Sequence, residues 1–268
     1  MHALVINLEK SRDRWNMMTH ELASQNLKVV RINAIDSRIV DINGHPVSDV
    51  CKAYCPKGVI GAGLSHMKAW QYVVDNNLSE ALIMEDDVYF KGVDLKAEID
   101  KRRPFIPDDA DIVLLGNFFS SYWLQMMLVP FQGYREYKVI NQYVYQPMNF
   151  GGFFCYYVTN RGARNLLKYV KEVSFHIDLV VSKSLEIKYY EFTDTLAFTD
   201  SKACQSSIQT SNVACVLDNV RLPFLTQNIS MWWLLNISIA DLRGFQVKLY
   251  SLIILLVLCI MAIKMIKK

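Results

Sequence analysis

The chain is organised around the stretch Ala81-Leu82-Ile83-Met84-Glu85-Asp86-Asp87-Val88-Tyr89-Phe90. Its apolar start fits a strand buried on both faces, since strands of a parallel sheet show no polar alternation. The three carboxylates that follow lie where open α/β sheets bind ligands, at the carboxyl end of a strand. Because like charges this close repel, we expect a cation among them, and a hard divalent ion with oxygen ligands would serve. The alternative is a solvated acidic turn, since surface clusters of Asp and Glu are common.

The segments that precede this stretch predict an α/β fold. Residues 3–8 fit a buried strand, residues 11–24 a helix, and residues 28–33 a second strand. Residues 37–57 carry Asn-Gly and Pro turn signals and predict a loop, and residues 58–75 have the apolar spacing of a helix. The order strand, helix, strand, loop, helix, strand predicts a mostly parallel sheet with right-handed crossovers.

The later segments extend the same pattern. Residues 111–117 and 151–158 fit strands, and Thr159 or Asn160 would cap the helix that follows the second of them. Residues 118–148 are aromatic and irregular, and they could form a sugar-stacking wall or a mobile lid.

Several residues outside the acidic stretch could bind a ligand. Arg12 and Arg14 follow the first strand, where free backbone N–H groups and fixed positive charge suit a diphosphate, although an ordinary solvated helix turn has the same pattern. Asp36 follows the second strand, where an acid can contact a ribose hydroxyl. His66 and Asp178 each have a structural alternative, as a partly buried histidine and as a helix cap.

Composition limits the classes of protein that need to be considered. The chain of 268 residues allows one large or two small domains, and its net charge of +3 is too small to favour nucleic acid. Its 52% apolar residues exceed what a wholly soluble protein needs. The six cysteines show no metal-site spacing, which predicts free thiols in a reducing compartment.

The motifs taken together resemble glycosyltransferase family 25, which includes bacterial lipopolysaccharide glycosyltransferases and collagen galactosyltransferases. The resemblance covers roughly residues 1–212. The matching segments, in family order, are Ile6-Asn7-Leu8 with Arg12-Asp13-Arg14, Ala34-Ile35-Asp36, Gly58-x-x-Gly61-x-x-Leu64-Ser65-His66 with Trp70, Leu82 to Asp87, Asp111 to Leu115, Gly152 to Tyr157 with Gly162-Ala163, Ile177-Asp178 and Gln205-Ser206-Ser207-Ile208. The family's second block usually reads Gly-Glu-x-Gly-Cys, and this chain departs from it at Val59 and Ala62.

The resemblance implies a GT-A type, Rossmann-like nucleotide-sugar-binding fold. It also implies inverting transfer of a hexose, galactose or glucose, from a UDP-sugar to a glycan, glycolipid or protein acceptor. Mn²⁺ or Mg²⁺ would neutralise the leaving diphosphate, and Asp87 and Glu85 would hold that ion. The predicted donor-binding residues are Asn7, Leu8, Arg12, Arg14, Asp36, Ser65, Glu85 and Asp86. Asp178 is the predicted base that takes the acceptor's hydroxyl proton, with His66 as the second candidate.

Two alternatives to this function stay open. The first is a degenerate family member that binds sugars or partners without turnover, which the altered Gly-x-x-Gly block would explain. The second is a metal-dependent phosphoryl-transfer or hydrolytic enzyme that uses the same carboxylates. Against the second stands the lack of another acidic cluster in the sequence for a second metal ion.

The C-terminal part of the chain has a different character. Residues 249–263 are uncharged and apolar and are flanked by lysines, which predicts a hydrophobic helix and a single-pass membrane anchor. Residues 226–247 contain paired tryptophans and resemble an interfacial amphipathic segment. The predicted organisation is therefore a catalytic domain at 1–225, an interfacial segment at 226–247 and an anchor at 248–268. The N-terminus does not resemble a signal peptide, so we expect the catalytic domain in the cytosol.

Overall fold

The strands and helices follow the predicted order closely in the first half of the chain. The structure is a computed structural model, and it describes residues 1–117, 136–199, 238–242 and 245–248. Up to residue 199 its strands and helices are β1 (His2–Asn7), α1 (Arg12–Leu22), β2 (Lys28–Asn33), α2 (Asp49–Tyr54), α3 (Lys57–Asp75), β3 (Glu80–Glu85), β4 (Val88–Tyr89), α4 (Leu95–Arg102), β5 (Ile112–Leu114), β6 (Lys138–Val139), β7 (Val144–Gln146), β8 (Cys155–Thr159), α5 (Asn160–Tyr169), α6 (Ile177–Ser182), β9 (Tyr189–Phe192) and β10 (Phe198–Thr199). Single 3₁₀ turns lie at Ile42–Gly44 and Arg103–Phe105.

In the described part of the chain, eight strands form one sheet in the order β2-β1-β3-β8-β5-β9-β7-β6. Strand β1 pairs in parallel with β2 and β3, and β5 pairs in parallel with β9. Strand β8 runs antiparallel to both of its neighbours, and β7 does the same between β9 and β6. The prediction of a mostly parallel α/β sheet is therefore confirmed, with two strands that run against the others.

Helices cover both faces of β1 and β3, which explains their continuous apolar runs. Ala3 and Val5 join Leu82 and Met84 in one core cluster with side chains from α1 and α4. Alternate residues of a strand point to opposite faces, and on the other face α3 lies against β1, β2 and β3. Because helices lie on both faces, the sequence of each strand carries no polar stripe.

Glycines allow α3 to lie close to its neighbours. A Cβ atom on Gly61 would lie 2.5 Å from the carbonyl oxygen of Ile35, and one on Gly63 would lie 2.8 Å from the Val173 side chain. Real Cβ atoms do not approach other atoms so closely, so α3 can lie this near its neighbours only with glycine at these two positions. Through Gly61, the first turns of α3 lie against the segment that follows β2.

The segment between β2 and α3 differs from the prediction. The loop predicted for residues 37–57 contains helix α2, whose N-cap Ser48 accepts a hydrogen bond from the Cys51 backbone N–H at 3.2 Å. A disulfide joins Cys51 to Cys55, so the prediction of free thiols is wrong for this pair. Cys155 is free and buried in β8, and the other three cysteines lie outside the described residues.

The chain divides into two compact units, residues 1–129 with 133–209 and residues 130–132 with 210–268. In the second unit the structure describes a hairpin in which β11 (Ser238–Leu242) pairs antiparallel with β12 (Phe245–Lys248). Among the described residues, none of the helices has the length and apolar character that crossing a membrane requires. The predicted anchor beyond Lys248 and most of the aromatic segment 118–148 lie outside the described residues.

Candidate functional site

The acidic stretch ends at the point where the strand order of the sheet reverses. From β1 the chain passes to β2 on one side, and it later enters β3 on the other side of β1. Ligands of open α/β sheets bind in the crevice outside the carboxyl ends of the strands at such a point. Asn7 ends β1 and Glu85 ends β3, and Asp86 and Asp87 form the turn that follows.

An open cleft lies at this edge of the sheet. Eight of the predicted site residues line it, namely Leu8, Arg14, Asp36, Ser65, His66, Glu85, Asp86 and Asp87. Arg38 and Lys57, which the sequence did not single out, add positive charge to its wall. The structure therefore brings together residues that are separated by up to about 80 positions in the sequence.

Arg14 is the cation that lies among the three acids. Its Nη1 donates to Asp86 Oδ1 at 2.9 Å and lies 3.6 Å from Asp87 Oδ2. The Asn7 amide donates to the other Asp86 oxygen at 2.6 Å and to the Ser11 carbonyl at 3.0 Å. Asp86 is thus held on both oxygens by residues from β1 and α1. This arrangement is not a solvated acidic turn.

Asp87 is in a different position from Asp86. Its Oδ1 is buried and accepts no hydrogen bond from the described residues. Burial raises the pKa of Asp87 to about 7, and the charges of Glu85 and Asp86 act in the same direction. The Arg14 guanidinium lowers that pKa but does not compensate. The cleft therefore contains a carboxyl group that lacks a partner for one oxygen.

These carboxylates can be tested against the predicted divalent ion. Within the described residues, no group of three or more His, Cys, Asp or Glu side chains is arranged to hold a metal ion. Mg²⁺ in nucleotide sites is commonly held by one or two carboxylates, with waters and substrate phosphates completing its shell. Glu85 and Asp87, with the unpartnered Oδ1 of Asp87, fit that smaller donor set.

Asp36 and Ser65, two further predicted donor-binding residues, make hydrogen bonds to other groups of the protein. Both Lys10 and Arg38 form ion pairs with Asp36, and the hydrogen bonds from Arg38 and then Lys10 lower the pKa of Asp36 to about 2. The hydroxyl of Ser65 accepts from the Ile35 backbone N–H at 2.8 Å and lies 2.6 Å from the Gly61 carbonyl oxygen, to which it donates. Ser65 thereby ties α3 to the segment after β2, a structural role that its position in a motif did not indicate.

The remaining predicted residues lie outside the set that lines the cleft. Arg12 is exposed on α1, and Asn7 is buried behind Asp86. Asp178 is at the start of α6, where its carboxylate accepts the backbone N–H groups of Gly152 at 2.5 Å and Leu179 at 2.9 Å. Gly152 precedes Phe153, whose ring packs against His66 at 5.5 Å between centroids. The role of Asp178 as a base stays a prediction.

Tyr156 is a site residue that the sequence did not reveal. Its hydroxyl lies 3.0 Å from His66 Nδ1 and accepts from Trp70 Nε1 at 2.8 Å, while His66 Nε2 lies 3.4 Å from Glu85 Oε1. Only knowledge of the strand pairing could have identified it. Tyr156 reaches His66 because β8 pairs antiparallel with β3, which places Tyr156 opposite Ile83. The Gly-Gly-Phe-Phe-Cys-Tyr-Tyr pattern alone does not indicate that pairing.

The amino-acid sequence matches one family of known proteins. The family described as "Glycosyltransferase family 25 (LPS biosynthesis protein)" matches residues 1–181. A Haemophilus influenzae protein that carries a provisional glycosyltransferase name is 30% identical over 83% of this chain and 72% of its own length. Mouse procollagen galactosyltransferase 2 is 28% identical over 42% of this chain and 20% of its own length. The crystal structure of A197 from STIV shares 12% identity with a TM-score of 0.41, over 75% of this chain and 86% of that one, which is too remote to bear on function.

Proposed function

The chain belongs to glycosyltransferase family 25, and we propose that it transfers a hexose from a UDP-sugar to a glycan, glycolipid or protein acceptor, with inversion at the anomeric carbon. Glycosyl transfer follows from family membership, whereas the donor, the acceptor and the stereochemistry belong to the proposal. The observation that supports it most directly is the Asp87 carboxyl, whose buried Oδ1 accepts no hydrogen bond from the described residues, in a cleft that Arg14, Arg38 and Lys57 also line.

The cleft carries charges of both signs, as a diphosphate with a cation requires. Arg14, Arg38 and Lys57 would attract and orient the diphosphate, since guanidinium groups bind phosphate oxygens in pairs. Glu85 and Asp87 would hold Mn²⁺ or Mg²⁺, which when bound supplies Lewis-acid stabilisation of the leaving diphosphate.

Inverting displacement also requires a group that accepts the proton of the acceptor hydroxyl. We assign that role to Asp178, as its carboxylate is oriented by two backbone N–H groups and is linked to the cleft through Gly152 and Phe153. Replacement by Asn would remove the proton acceptor, and it would also lose one of the two backbone N–H bonds, since an amide has a single acceptor oxygen.

Release of UDP from a panel of UDP-hexoses tests this function. The full chain in detergent is incubated with each donor, with Mn²⁺ or with EDTA, with and without simple glycan acceptors. We expect release from one UDP-hexose that depends on the metal ion and is abolished in Asp87→Asn, while Asp13→Asn on the exposed face of α1 keeps the wild-type rate. Equal release by wild type and Asp87→Asn would show that Asp87 has no part in the reaction and would contradict the proposed metal site.

A binding protein without turnover is the second candidate. Ala62 lines the cleft, at a position where the chain departs from the block that the resemblance predicts. Calorimetric titration with UDP and Mn²⁺ separates the candidates, because a binding protein would take up UDP and release none from any donor. If the wild type neither binds UDP nor cleaves a UDP-sugar, both candidates are excluded.

For residues 248–268 we propose a membrane anchor that leaves the catalytic domain in the cytosol. The apolar run supports this proposal by its composition and length. Fractionation of cells that express the full chain, or a chain ended after residue 247, measures it. Recovery of both chains in the same soluble fraction would contradict the anchor.

A further inference from the structure

A buried row of side chains leads from α3 through β8 to the edge of the cleft. Trp70, Tyr156 and His66 are almost fully buried, with at most 1% of each side chain exposed. Their polar atoms form consecutive contacts of 2.8 Å between Trp70 and Tyr156, 3.0 Å between Tyr156 and His66, and 3.4 Å between His66 and Glu85. Glu85, at the far end, is the only one of the four that lies partly exposed in the cleft.

The direction of each hydrogen bond follows from the chemistry of the first. Indole Nε1–H is a donor only, so Tyr156 must accept from Trp70. The tyrosine hydrogen then needs an acceptor, and His66 Nδ1 is the acceptor that the described contacts provide. A neutral imidazole that accepts at Nδ1 carries its proton on Nε2, the nitrogen that faces Glu85. For a neutral His66, these hydrogen bonds are therefore compatible with the Nε2–H tautomer and not with the Nδ1–H tautomer.

The surroundings of His66 also fix the plane of its ring. The ring centroids of Phe153 and Tyr156 lie 5.5 Å and 5.8 Å from that of His66. Phe153 packs in turn on Tyr156 at 4.4 Å and on Trp70 at 6.2 Å. An imidazole enclosed in this way has little freedom to turn away from Glu85.

We propose that Tyr156 and Trp70 are positioning residues, which hold His66 in its Nε2–H tautomer so that His66 fixes the Glu85 carboxylate for binding the donor complex. The proposal depends on the donor site proposed above and gives His66 a different role from the base expected from its motif. The Glu85 backbone is already anchored, since its N–H donates to Phe154 at 2.8 Å, so only the carboxylate needs orientation. Partners of this kind behind a ligand typically change affinity about 10–100-fold.

The tautomer can be measured without any ligand. Long-range ¹H–¹⁵N spectra of the full chain labelled at histidine distinguish a proton on Nε2 from one on Nδ1, and His66→Gln assigns the signal. We expect the Nε2–H form in the wild type and a loss of this preference in Tyr156→Phe, which removes one oxygen atom. A wild-type proton on Nδ1, or an unchanged tautomer in Tyr156→Phe, would overturn the proposal.

Binding of UDP with Mn²⁺, measured by calorimetry, tests the effect on Glu85. Tyr156→Phe should weaken it about tenfold. The control is Tyr157→Phe, the next residue of β8, whose hydroxyl donates to Glu80 at 2.6 Å on the opposite face of the sheet and whose loss should leave binding unchanged. Equal binding by the wild type and Tyr156→Phe, or equal weakening in the two variants, would exclude the positioning role.

A second pair of variants covers the case in which Tyr156→Phe does not fold. His66→Gln keeps an N–H donor that can reach Glu85, and His66→Leu keeps only the volume. We expect His66→Gln to retain most of the wild-type affinity and His66→Leu to lose about tenfold. An equal loss would contradict the proposal. Wild-type protein that shows the Nε2–H form but binds no UDP would refute the donor site and the positioning role together, whereas a proton on Nδ1 with normal binding would refute the positioning role alone.

Discussion

Two neighbouring acids at the cleft should change the stability of the protein in opposite directions when each is neutralised. Asp86 is held on both oxygens by Arg14 and Asn7, so Asp86→Asn removes an ion pair and leaves Arg14 with a weaker partner. Asp87 is repelled by two acids, and its Oδ1 receives no hydrogen bond from the part of the chain that the structure describes. Asp87→Asn should therefore raise the free energy of unfolding, and Asp86→Asn should lower it.

The size of the Asp87 effect follows from its pKa. The pKa is raised from 3.8 to about 7, and each pH unit of difference corresponds to about 1.4 kcal/mol, which sets an upper bound of about 4 kcal/mol. The asparagine amide is also incompletely bonded in this position, so we expect a net gain of about 1–2 kcal/mol at pH 8. For Asp86→Asn, loss of a charge-assisted hydrogen bond predicts a decrease of about 1–3 kcal/mol.

The pH dependence distinguishes this explanation from a general effect of the substitution. With its pKa raised in the folded state, Asp87 keeps a proton that the unfolded chain has already lost, so its contribution favours folding below pH 4 and falls as the pH rises towards 7. The advantage of Asp87→Asn over the wild type should consequently be full at pH 8 and mostly absent at pH 4.

Urea unfolding in EDTA, followed by tryptophan fluorescence at the two pH values, measures all three proteins. EDTA is needed because an ion bound to the wild-type carboxylate would stabilise it by mass action. If Asp87→Asn is less stable than the wild type at pH 8, or if its advantage is the same at pH 4, burial and repulsion do not control this carboxyl group. Asp86→Asn serves as the matched control for the loss of one charge at the same turn.

Three further outcomes follow from contacts at the cleft. Arg14→Ala should weaken UDP–Mn²⁺ binding about 10–100-fold in calorimetry, more than Arg12→Ala, whose side chain is exposed outside the cleft. Gly61→Ala should lower the free energy of unfolding by about 1–3 kcal/mol in urea, because its Cβ would lie 2.5 Å from a backbone carbonyl oxygen, whereas Gly44→Ala, with open space around it, should change it by less than about 0.5 kcal/mol. Asp36→Asn should lower the free energy of unfolding by about 1 kcal/mol at pH 7, because the lowered pKa of Asp36 stabilises the fold above pH 4. In urea unfolding at a series of pH values, the difference from the wild type should disappear between pH 4 and pH 2.

Local sequence patterns predicted most of the strands and helices in the first half of the chain, with α2 as an exception. The predicted strand at 28–33 coincides with β2, and the helix predicted to end at Asp75 does so. Thr159 caps α5 as expected, by accepting the Gly162 N–H at 2.9 Å. These elements are determined by burial on both faces and by caps, which are signals carried by residues close together in the sequence.

Pairing between distant segments could not be predicted in the same way. An apolar strand has the same composition whether its neighbours are parallel or antiparallel, so nothing in residues 155–159 revealed that β8 runs against β3 and β5. The six-residue helix α2 was missed because it is too short to show a period and lies among turn signals. The role of Asp36 was obscured for a related reason, since Lys10 and Arg38 converge on it only in the folded chain.

The sequence predicted a cation among the three acids, and in the structure Arg14 lies there. The predicted divalent ion stays a proposal. Arg14 supplies one positive charge against three carboxylates, and it is closest to Asp86. The pKa of Asp87 lies above its usual value, because burial and the charge of Glu85 raise it more than Arg14 lowers it. A fold selected for stability alone would replace such a group, as neutral residues avoid the repulsion. A destabilising carboxyl group in the cleft is what the proposed site for a cation with its diphosphate would require, and on that proposal binding of the complex would recover the stability that the free protein loses.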